Sequence, residues 1–468
     1  MMKRVLSLAV LTAVIVLTAC TVGPDYHRPK VETPAFYKEA YGAWRQASPQ
    51  DVFHHGAWWT VYNDSVLNRL EKQVDVSNQK LKAAEAAYHE ARAMAAEAHS
   101  SLFPTAAAEG AVGKMRGTMP RPTAPESLTV GGSWEPDLWG RIHREIEGST
   151  ARAQANAADL AAARLSLQAV LAVDYFDLRA QDELKQLLER IVETDKKSLQ
   201  IVRYQYDSGT GSSDDALLAE TRLENARAKA IKTGVRRARL LHAIAVLVGD
   251  PPADFFLPLR PYNGYVPDIP AGIPSSLLER RPDIAAAERM VAAANAKIGI
   301  ATAAWFPDIT LSASAGYTDM TFDKVLQAPM GFWALGAGFT ETLFNAGRRS
   351  DRITAAKAGF DRSAAMYRQT ALTAFRQVED GLSSLRIISQ ACDEQSAATR
   401  HTWRIEQLAK RRYESGTGDY RKELKARTVW LKNKIDLLKL RQSRLDESVA
   451  LIRALGGGWN ASQVTNGK

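Results

Sequence analysis

The sequence predicts a mixed α and β chain in which very long helices are combined with four membrane-facing strands, all arranged in two internal repeats. Three observations support this fold class. Short motifs recur in the same order at a constant spacing, pairs of segments alternate between apolar and small polar residues, and two helical stretches of 67 residues contain no proline. The chain of 468 residues is long enough for such a duplication.

The repeats are separated by 207 positions. Four pairs of motifs keep this spacing, and a fifth pair, Phe103-Pro104 and Phe306-Pro307, lies 203 apart, so that a loop absorbs the difference. The four pairs are Gly140-Arg141 with Gly347-Arg348, Leu178-Arg179 with Leu385-Arg386, Ser208-Gly209-Thr210-Gly211 with Ser415-Gly416-Thr417-Gly418, and Val248-Gly249 with Leu455-Gly456. We therefore predict a signal peptide at 1–19, an N-terminal segment at 20–57, repeat 1 at 58–250, a Pro- and Gly-rich linker at 251–274, repeat 2 at 275–458 and a tail at 459–468.

Each repeat contains two segments that alternate with the period of a β-strand. In repeat 2, residues 309–317 and 333–340 place apolar side chains on one face and small or polar ones on the other. In repeat 1, residues 128–134 alternate acceptably, whereas 106–114 barely do. The lengths suit strands that face lipid on one side and water on the other. A soluble sheet with one wet face is the alternative.

Long helices follow the strands. Arg141–Asp207 and Arg348–Glu414 would each span about 100 Å at 1.5 Å per residue. Ser213–Val248 and a second return helix run back from the two Ser-Gly-Thr-Gly turns, and residues 277–304 predict a further helix. The second return helix has heptad spacing, with steps of four and three, which predicts a seam facing one partner: Leu424, Thr428, Leu431, Ile435, Leu438, Gln442, Leu445, Val449 and Ile452.

The N-terminus has the pattern of a secretory signal. Lys3 and Arg4 precede an apolar stretch at 5–17, and small residues lead to Cys20. A cysteine at the cleavage point resembles a lipobox, which implies cleavage before Cys20 and its acylation. An ordinary signal peptide with a chance cysteine is the alternative. The only other cysteine is Cys392, so acylation of Cys20 would exclude an intrachain disulfide.

The predicted strands require several copies of the chain. Later segments contain no apolar run of about 18 residues, so a crossing of the membrane would need a closed barrel. Four strands cannot close one, because the smallest membrane barrels have eight. We therefore predict an oligomer whose copies share a barrel, continued by helices long enough to cross much of the periplasm.

The sequence resembles the TolC-type outer-membrane factors, and most closely their NodT-like lipoprotein branch, which serves RND efflux pumps. The resemblance covers nearly the whole mature chain. It rests on these motifs: Cys20-Thr21-Val22-Gly23-Pro24-Asp25-Tyr26-His27-Arg28-Pro29, Trp58-Trp59, Ser133-Trp134-Glu135, Asp137-Leu138-Trp139-Gly140-Arg141, Arg203-Tyr204 and Leu277-Leu278-Glu279-Arg280-Arg281-Pro282-Asp283-Ile284.

The resemblance implies a homotrimer with a 12-stranded transmembrane β-barrel continued by a long periplasmic α-helical barrel. It also implies an outer-membrane location, which Thr21 after the cysteine favours. Two partners are implied as well: a periplasmic adaptor and an inner-membrane pump of RND type. The expected function is the passive conduction of drugs or other toxic small molecules. A duct for type I protein secretion and a non-conducting coiled-coil envelope lipoprotein are the alternatives.

The resemblance also suggests site residues. The two turns would form the periplasmic tip that docks the adaptor, through Gly209, Thr210, Gly211, Ser212, Gly416, Thr417, Gly418 and Asp419. Asp215 and Tyr413 match an Asp and a Tyr of the family's gate, but Gly418 stands where a reinforcing Arg is expected. Lys422 and Lys425 stand where the family archetype narrows its mouth with two Asp residues. If these lysines face the pore, they attract anions; a small helix rotation would turn them to solvent.

No enzyme, cofactor or metal site is expected. His54-His55 lies in a polar segment without further ligands at useful spacing, and the glycines near Gly113-Lys114 do not form a phosphate loop. The net charge of +9 arises from basic residues scattered among acidic ones, which indicates solvated helix faces rather than a nucleic-acid surface.

Overall fold

A computed structural model describes residues 21–39, 57–111, 126–260, 262, 264–267, 269, 274–319 and 331–459. The chain divides into two compact units. The sheet unit comprises Met1–Val31, Ala86–Ala157 and Ala286–Gln369, and the helical unit comprises Glu32–Glu85, Ala158–Ala285 and Thr370–Lys468. The α-helices and β-strands of the described residues, in chain order, are α1 (Ser65–Ser77), α2 (Gln79–Ser100), β1 (Thr105–Ala111), β2 (Glu126–Trp134), α3 (Arg141–Asp207), α4 (Ser213–Val248), α5 (Leu277–Arg280), α6 (Pro282–Ala303), β3 (Asp308–Asp319), β4 (Gly331–Thr340), α7 (Arg348–Glu414) and α8 (Tyr420–Ala454). Two short 3₁₀ helices cover Trp58–Tyr62 and Pro274–Ser276.

The sheet unit contains one antiparallel sheet in the order β1-β2-β3-β4. Its register places the predicted apolar residues on one face, because directly paired residues share a face. Val130 pairs with Ala315, which pairs with Trp333, and Ile309 pairs with Phe339. The opposite face carries small polar pairs such as Thr105 with Ser133. All four predicted strands are confirmed, including the weakly patterned β1.

The long helices are confirmed as the sequence predicts them. Both α3 and α7 have 67 residues, and each begins directly after a glycine with positive φ, Gly140 or Gly347. At the start of α3, the Asp137 carboxylate accepts hydrogen bonds from the backbone N–H groups of Ile142 and His143. Such a cap satisfies donors that have no partner within the helix.

The prediction of a single helix over residues 277–304 is wrong. The structure breaks it into α5 and α6 at Arg281, which has extended backbone angles (φ −104°, ψ 121°). Pro282 disfavours helical angles at the residue before it and has no N–H to continue the hydrogen bonding. The Arg281 guanidinium then ties the break to its surroundings, bonding Asp283 at 2.6 Å and the Ala454 carbonyl at 3.0 Å.

The heptad seam of α8 faces the interior of the helical unit: six of its nine residues are buried, and Thr428, Ile435 and Gln442 are half-buried. Leu431 and Leu438 pack with Leu187 and Ala180 of α3. Farther along α8, Leu445, Val449 and Ile452 join the main core of this unit, together with Trp58, Trp59, Tyr62, Leu67, Leu70, Tyr175 and Phe176. Burying side chains of this size contributes about 1.5–3 kcal/mol each. The Trp58-Trp59 pair is therefore a core element.

None of the helices within the described residues combines the length and the apolar character needed to cross a membrane.

Candidate functional site at the two interhelical turns

The first Ser-Gly-Thr-Gly turn reverses the chain between α3 and α4. Gly209 has a φ of +74°, a left-handed conformation that glycine adopts without steric cost. The Thr210 and Gly211 N–H groups both donate to the Gln205 carbonyl, at 2.8 and 2.9 Å, and so close the end of α3. The Ser212 hydroxyl accepts a hydrogen bond from the Asp215 N–H at 3.1 Å and thereby caps α4.

The second turn has the same backbone geometry. Gly416 has a φ of +72°, and the Thr417 N–H donates to the Arg412 carbonyl at 2.9 Å. The hydroxyls of Ser415 and Thr417 lie 3.0 Å apart, as those of Ser208 and Thr210 lie 3.1 Å apart in the first turn. Asp419 caps α8 by accepting from the Arg421 N–H at 2.8 Å.

The two glycines of each turn have different surroundings. A Cβ built at Gly209 or Gly416 meets nothing within 4 Å, so these positions project into open space. A Cβ at Gly211 would come within 3.0 Å of the Tyr206 nitrogen, and one at Gly418 within 2.9 Å of the Arg412 carbonyl carbon. The first glycine of each turn therefore forms the accessible tip, and the second allows close packing against the preceding helix.

The structure places the predicted gate residues around the turns but does not join them within one chain. Asp215 and Tyr413 are both exposed, and no hydrogen bond links them among the described residues. The Tyr413 ring instead packs on Tyr420, with ring centroids 4.5 Å apart. Lys422 and Lys425 are exposed, and neither forms an ion pair within the described parts of the chain.

Beside the second turn lies a buried charged group that the sequence reasoning missed. Glu406 and Glu423 are only 2% and 3% exposed, although both carry ionisable carboxyls. Arg427 lies between them, 4.0 Å from Glu406 and 3.7 Å from Glu423. Burial raises the pKa of Glu423, which the positive charge of Arg427 partly opposes. Only the packing of α7 against α8 reveals this group, because Glu406 and Glu423 lie on different helices.

A second missed group lies farther from the turns in the helical unit. The Asp177 carboxylate pairs with Arg236 at 2.6 Å and accepts a hydrogen bond from Gln442. Burial, followed by the negative charge of Asp177, raises the pKa of Asp446 to about 7, and the same two causes raise the pKa of Asp174 to about 6. Each aspartate alone resembles an ordinary helix-surface residue in the sequence.

The expected lipidation site, Cys20, lies outside the described residues, as do His54-His55 and Gly113-Lys114. The segment directly after Cys20 is held within the sheet unit: the Val22 N–H donates to the Trp139 carbonyl at 3.1 Å, and Asp25 pairs with Arg144 at 2.9 Å. Cys392 is buried, and burial raises the pKa of its thiol. No group of three or more metal-ligating side chains occurs among the described residues.

Comparison with known proteins identifies the family. The sequence model of the outer membrane efflux protein family matches residues 70–250 and 273–457, well over half of the chain. The chain belongs to the outer membrane efflux protein family. Its two matched segments agree with the internal duplication that the sequence predicts.

Relatives and solved structures extend the comparison. The chain is 30% identical to a probable efflux pump outer membrane protein, TtgC of Pseudomonas putida, over 98% of this chain and 96% of that protein. The outer-membrane channel OprN is 30% identical and superimposes with a TM-score of 0.83, covering 94% of this chain and 100% of that chain. The open state of the MtrE outer membrane channel of Neisseria gonorrhoeae is 28% identical, with a TM-score of 0.84 over 94% of this chain and 99% of that chain.

These findings confirm the predicted TolC-like fold and the predicted function class. The protein is an outer-membrane efflux channel that works in a tripartite system with an adaptor and an inner-membrane pump. The family consists of ducts rather than enzymes. The alternative of a non-conducting coiled-coil lipoprotein is therefore excluded.

Proposed function

We propose that three copies of the chain form a lipid-anchored exit duct for drugs or other toxic small molecules, with the two turns as the adaptor-docking tip. The observation that carries the proposal is the exposure of the sheet. All ten residues of β4 are exposed in the single chain, including Trp333, Leu335 and Phe339, each at 75% or more. Apolar side chains exposed in such a row need a cover.

Lipid and neighbouring copies together supply that cover. β1 and β4 lie at the two edges of the sheet, and within the described residues each edge leaves backbone N–H and C=O groups without strand partners. Such groups cannot stay unpaired in a hydrocarbon environment, where each costs several kcal/mol. Joining edge to edge around a threefold axis satisfies both edges and presents the row of Trp333, Leu335 and Phe339 to the bilayer.

The remaining site residues fit the same assembly. Gly209, Thr210, Gly211, Ser212, Gly416, Thr417, Gly418 and Asp419 form the docking tip. In the assembled trimer, Asp215 and Tyr413 act in the gate between neighbouring helices, and Lys422 and Lys425 face its mouth. Cys20 carries the lipid anchor. Both lysines are exposed and form no ion pair within the described chain, which supports their position at an aqueous constriction.

Planar-bilayer recordings of the purified, membrane-extracted protein test this function. We expect discrete ion-conducting steps without any partner or energy source, because a passive duct needs neither. Deleting the gene should also sensitise the bacterium to small toxic compounds while leaving protein secretion unchanged. A protein that never conducts in bilayers, or a deletion strain that loses only a secreted protein, would contradict the proposal.

Reversal potentials in a salt gradient test whether Lys422 and Lys425 line the mouth of the pore. Three copies of Lys422 and Lys425 add positive charge at a constriction, which attracts anions and repels cations. The double change Lys422→Asp, Lys425→Asp should therefore shift the selectivity towards cations. The matched control Lys439→Asp changes a lysine of the same helix that pairs with Asp436 at 3.6 Å. A wild-type channel that is strongly cation-selective and unmoved by the double change would place the lysines outside the pore.

A further inference from the structure

The two turns share one backbone design but carry opposite charge. With the offset of 207 positions, the stretch 200–222 around the first turn contains two basic and four acidic residues, whereas 407–429 around the second contains seven basic and three acidic residues. The net charges of the two stretches are therefore −2 and +4. Because the turn geometry is the same at both places, backbone requirements do not explain the difference.

The reversal is concentrated at positions that face solvent. Asp214 and Asp215 in the first turn of α4 correspond to Arg421 and Lys422 in the first turn of α8. All four side chains are exposed. Arg421 lies 3.7 Å from its own cap residue Asp419, and the other three form no ion pair within the described chain.

At a third position where the charge is reversed, both side chains have ion-pair partners within the chain. Glu220 pairs with Arg203 at 2.7 Å across the first hairpin. Its counterpart Arg427 lies beside the buried Glu406 and Glu423. Each of these two charges has a partner of opposite charge within the chain, so contacts inside the fold explain the reversal at this position. The reversal at Asp214, Asp215, Arg421 and Lys422 has no such explanation.

The helix dipole makes the cations at the second turn still harder to explain structurally. The start of a helix favours carboxylates and disfavours cations. Asp214 and Asp215 therefore stabilise α4, but Arg421 and Lys422 stand at the unfavourable end of α8. Residues that oppose the local preference point to a role outside the helix itself.

The exposed apolar residues differ in the same sense. Tyr204 and Leu218 are 75% and 51% exposed beside the first turn. The equivalent positions beside the second turn are Arg411 and Lys425, which are also exposed. The first turn thus presents an acidic surface with apolar side chains, and the second presents a basic surface.

We propose that the two turns bind two chemically different surfaces of the periplasmic adaptor: the first turn binds a basic surface with apolar residues, and the second binds an acidic one. The inference rests on the proposed docking of the adaptor at these turns. Complementary charge at an interface selects partner and register more than it raises affinity. Each turn then accepts only its own adaptor surface, which fixes how the adaptor is seated on the channel.

Site-specific cross-linking in the native host, with its own adaptor, tests the inference. A photoreactive phenylalanine analogue replaces Tyr206 or Tyr413, two equivalent tyrosines that are 50% and 45% exposed. Arg421→Asp with Lys422→Asp gives the second turn the residues of the first. We expect it to lower adaptor cross-linking at position 413 about tenfold and to leave position 206 largely unchanged. Asp214→Arg with Asp215→Lys should do the reverse.

Two controls keep the result interpretable. The charge-preserving pair Arg421→Lys, Lys422→Arg should cross-link like the wild type. The neutral pair Arg421→Gln, Lys422→Gln should give an intermediate loss, and it replaces the charge-reversed variant if that variant assembles poorly. Assembly is followed by trimer yield alone, because Asp215 and Lys422 are proposed gate and mouth residues whose exchange also changes the bilayer current. Higher salt should weaken cross-linking at the second turn, because exposed charges are screened.

The outcomes separate this inference from the docking on which it rests. Wild-type protein that cross-links no adaptor at either position would overturn docking itself. Adaptor cross-linking that persists unchanged in both charge-reversed variants would leave docking intact and overturn the charge assignment. It would also be overturned if Arg421 and Lys422 proved necessary only for binding phosphatidylglycerol vesicles.

Discussion

Asp446 is a carboxyl placed where its charge is unfavourable. Burial raises its pKa to about 7, with nearby Asp177 as the next cause. One of its carboxyl oxygens is buried without a hydrogen-bond partner among the described residues. The folded protein therefore holds a proton on Asp446 that the unfolded chain releases near its ordinary pKa of 3.8. Stability due to this group falls as pH rises from about 4 to 7 and stays low above 7.

Asp446→Asn should stabilise the protein at alkaline pH, since the neutral amide removes the buried charge. We expect a gain on the order of 2 kcal/mol at pH 8 and little change at pH 4. Thermal unfolding of the detergent-solubilised protein at both pH values measures it. Asp436→Asn is the matched control, because that carboxyl is 61% exposed on the same helix. Equal effects of Asp446→Asn at pH 4 and pH 8 would refute the assignment.

Sequence reasoning at this scale found residues that stand in motifs and missed residues whose roles depend on packing. The turn glycines could be predicted because a short motif recurs. The burial of Glu406 and the raised pKa of Asp446 could not, since both come from packing against other helices. Arg281 stands in a recognised motif, but its bond to the distant Ala454 carbonyl could not be predicted either. The roles of Asp215, Tyr413, Lys422 and Lys425 stay predictions, because they depend on neighbouring copies of the chain.

Among the elements, the two long helices were predicted to the residue, and the strands of repeat 2 to within two residues. The ends of α3 and α7 follow from the glycines and turns that bound them. β1 was weak because it is mostly Ala and Gly, yet it forms by pairing with β2 from Thr105 to Ala111. The break between α5 and α6 was missed, although Pro282 disfavours helical angles at Arg281 and so carried the signal for it. The predicted domain boundaries stay predictions.

The turn as an element can be tested at Gly416. Its φ of +72° strains any larger residue, but a side chain there meets nothing in the chain itself. Gly416→Trp should therefore leave trimer yield and bilayer conductance near the wild-type level and abolish efflux, by blocking the docked adaptor. Drug susceptibility of a deletion strain carrying each variant measures the loss.

Gly416→Asn is the matched control for that change. Asparagine tolerates the left-handed conformation and is small, so it carries little of the bulk of tryptophan. It should retain most of the efflux activity. If Gly416→Trp gave full resistance, the adaptor would not contact this tip; if both variants lost efflux equally, backbone strain would be the cause.

At the scale of the whole molecule, the proposed anchor and the proposed assembly use different parts of the chain. The proposed assembly depends on strand edges and long helices, and Cys20 belongs to neither. The segment after Cys20 is held by its own contacts in the sheet unit, including Asp25 with Arg144 and the Tyr26 hydroxyl donating to Glu288. Burial, and then the hydrogen bond to Glu288, raises the pKa of Tyr26, so its hydroxyl keeps the proton that it donates.

Cys20→Ser should therefore remove the lipid and leave the trimer. We expect the variant to form trimers that conduct in bilayers but to be extracted from membranes more easily, since acyl chains contribute about 0.8 kcal/mol per buried CH₂ group. Mass spectrometry of the mature protein follows acylation, and native gels follow assembly. Cys392→Ser is the control, because that buried thiol is the only other cysteine and should leave acylation unchanged. An unmodified Cys20 in the mature wild-type protein would show that the anchor does not exist, and the duct would then be held in the membrane by its strands alone.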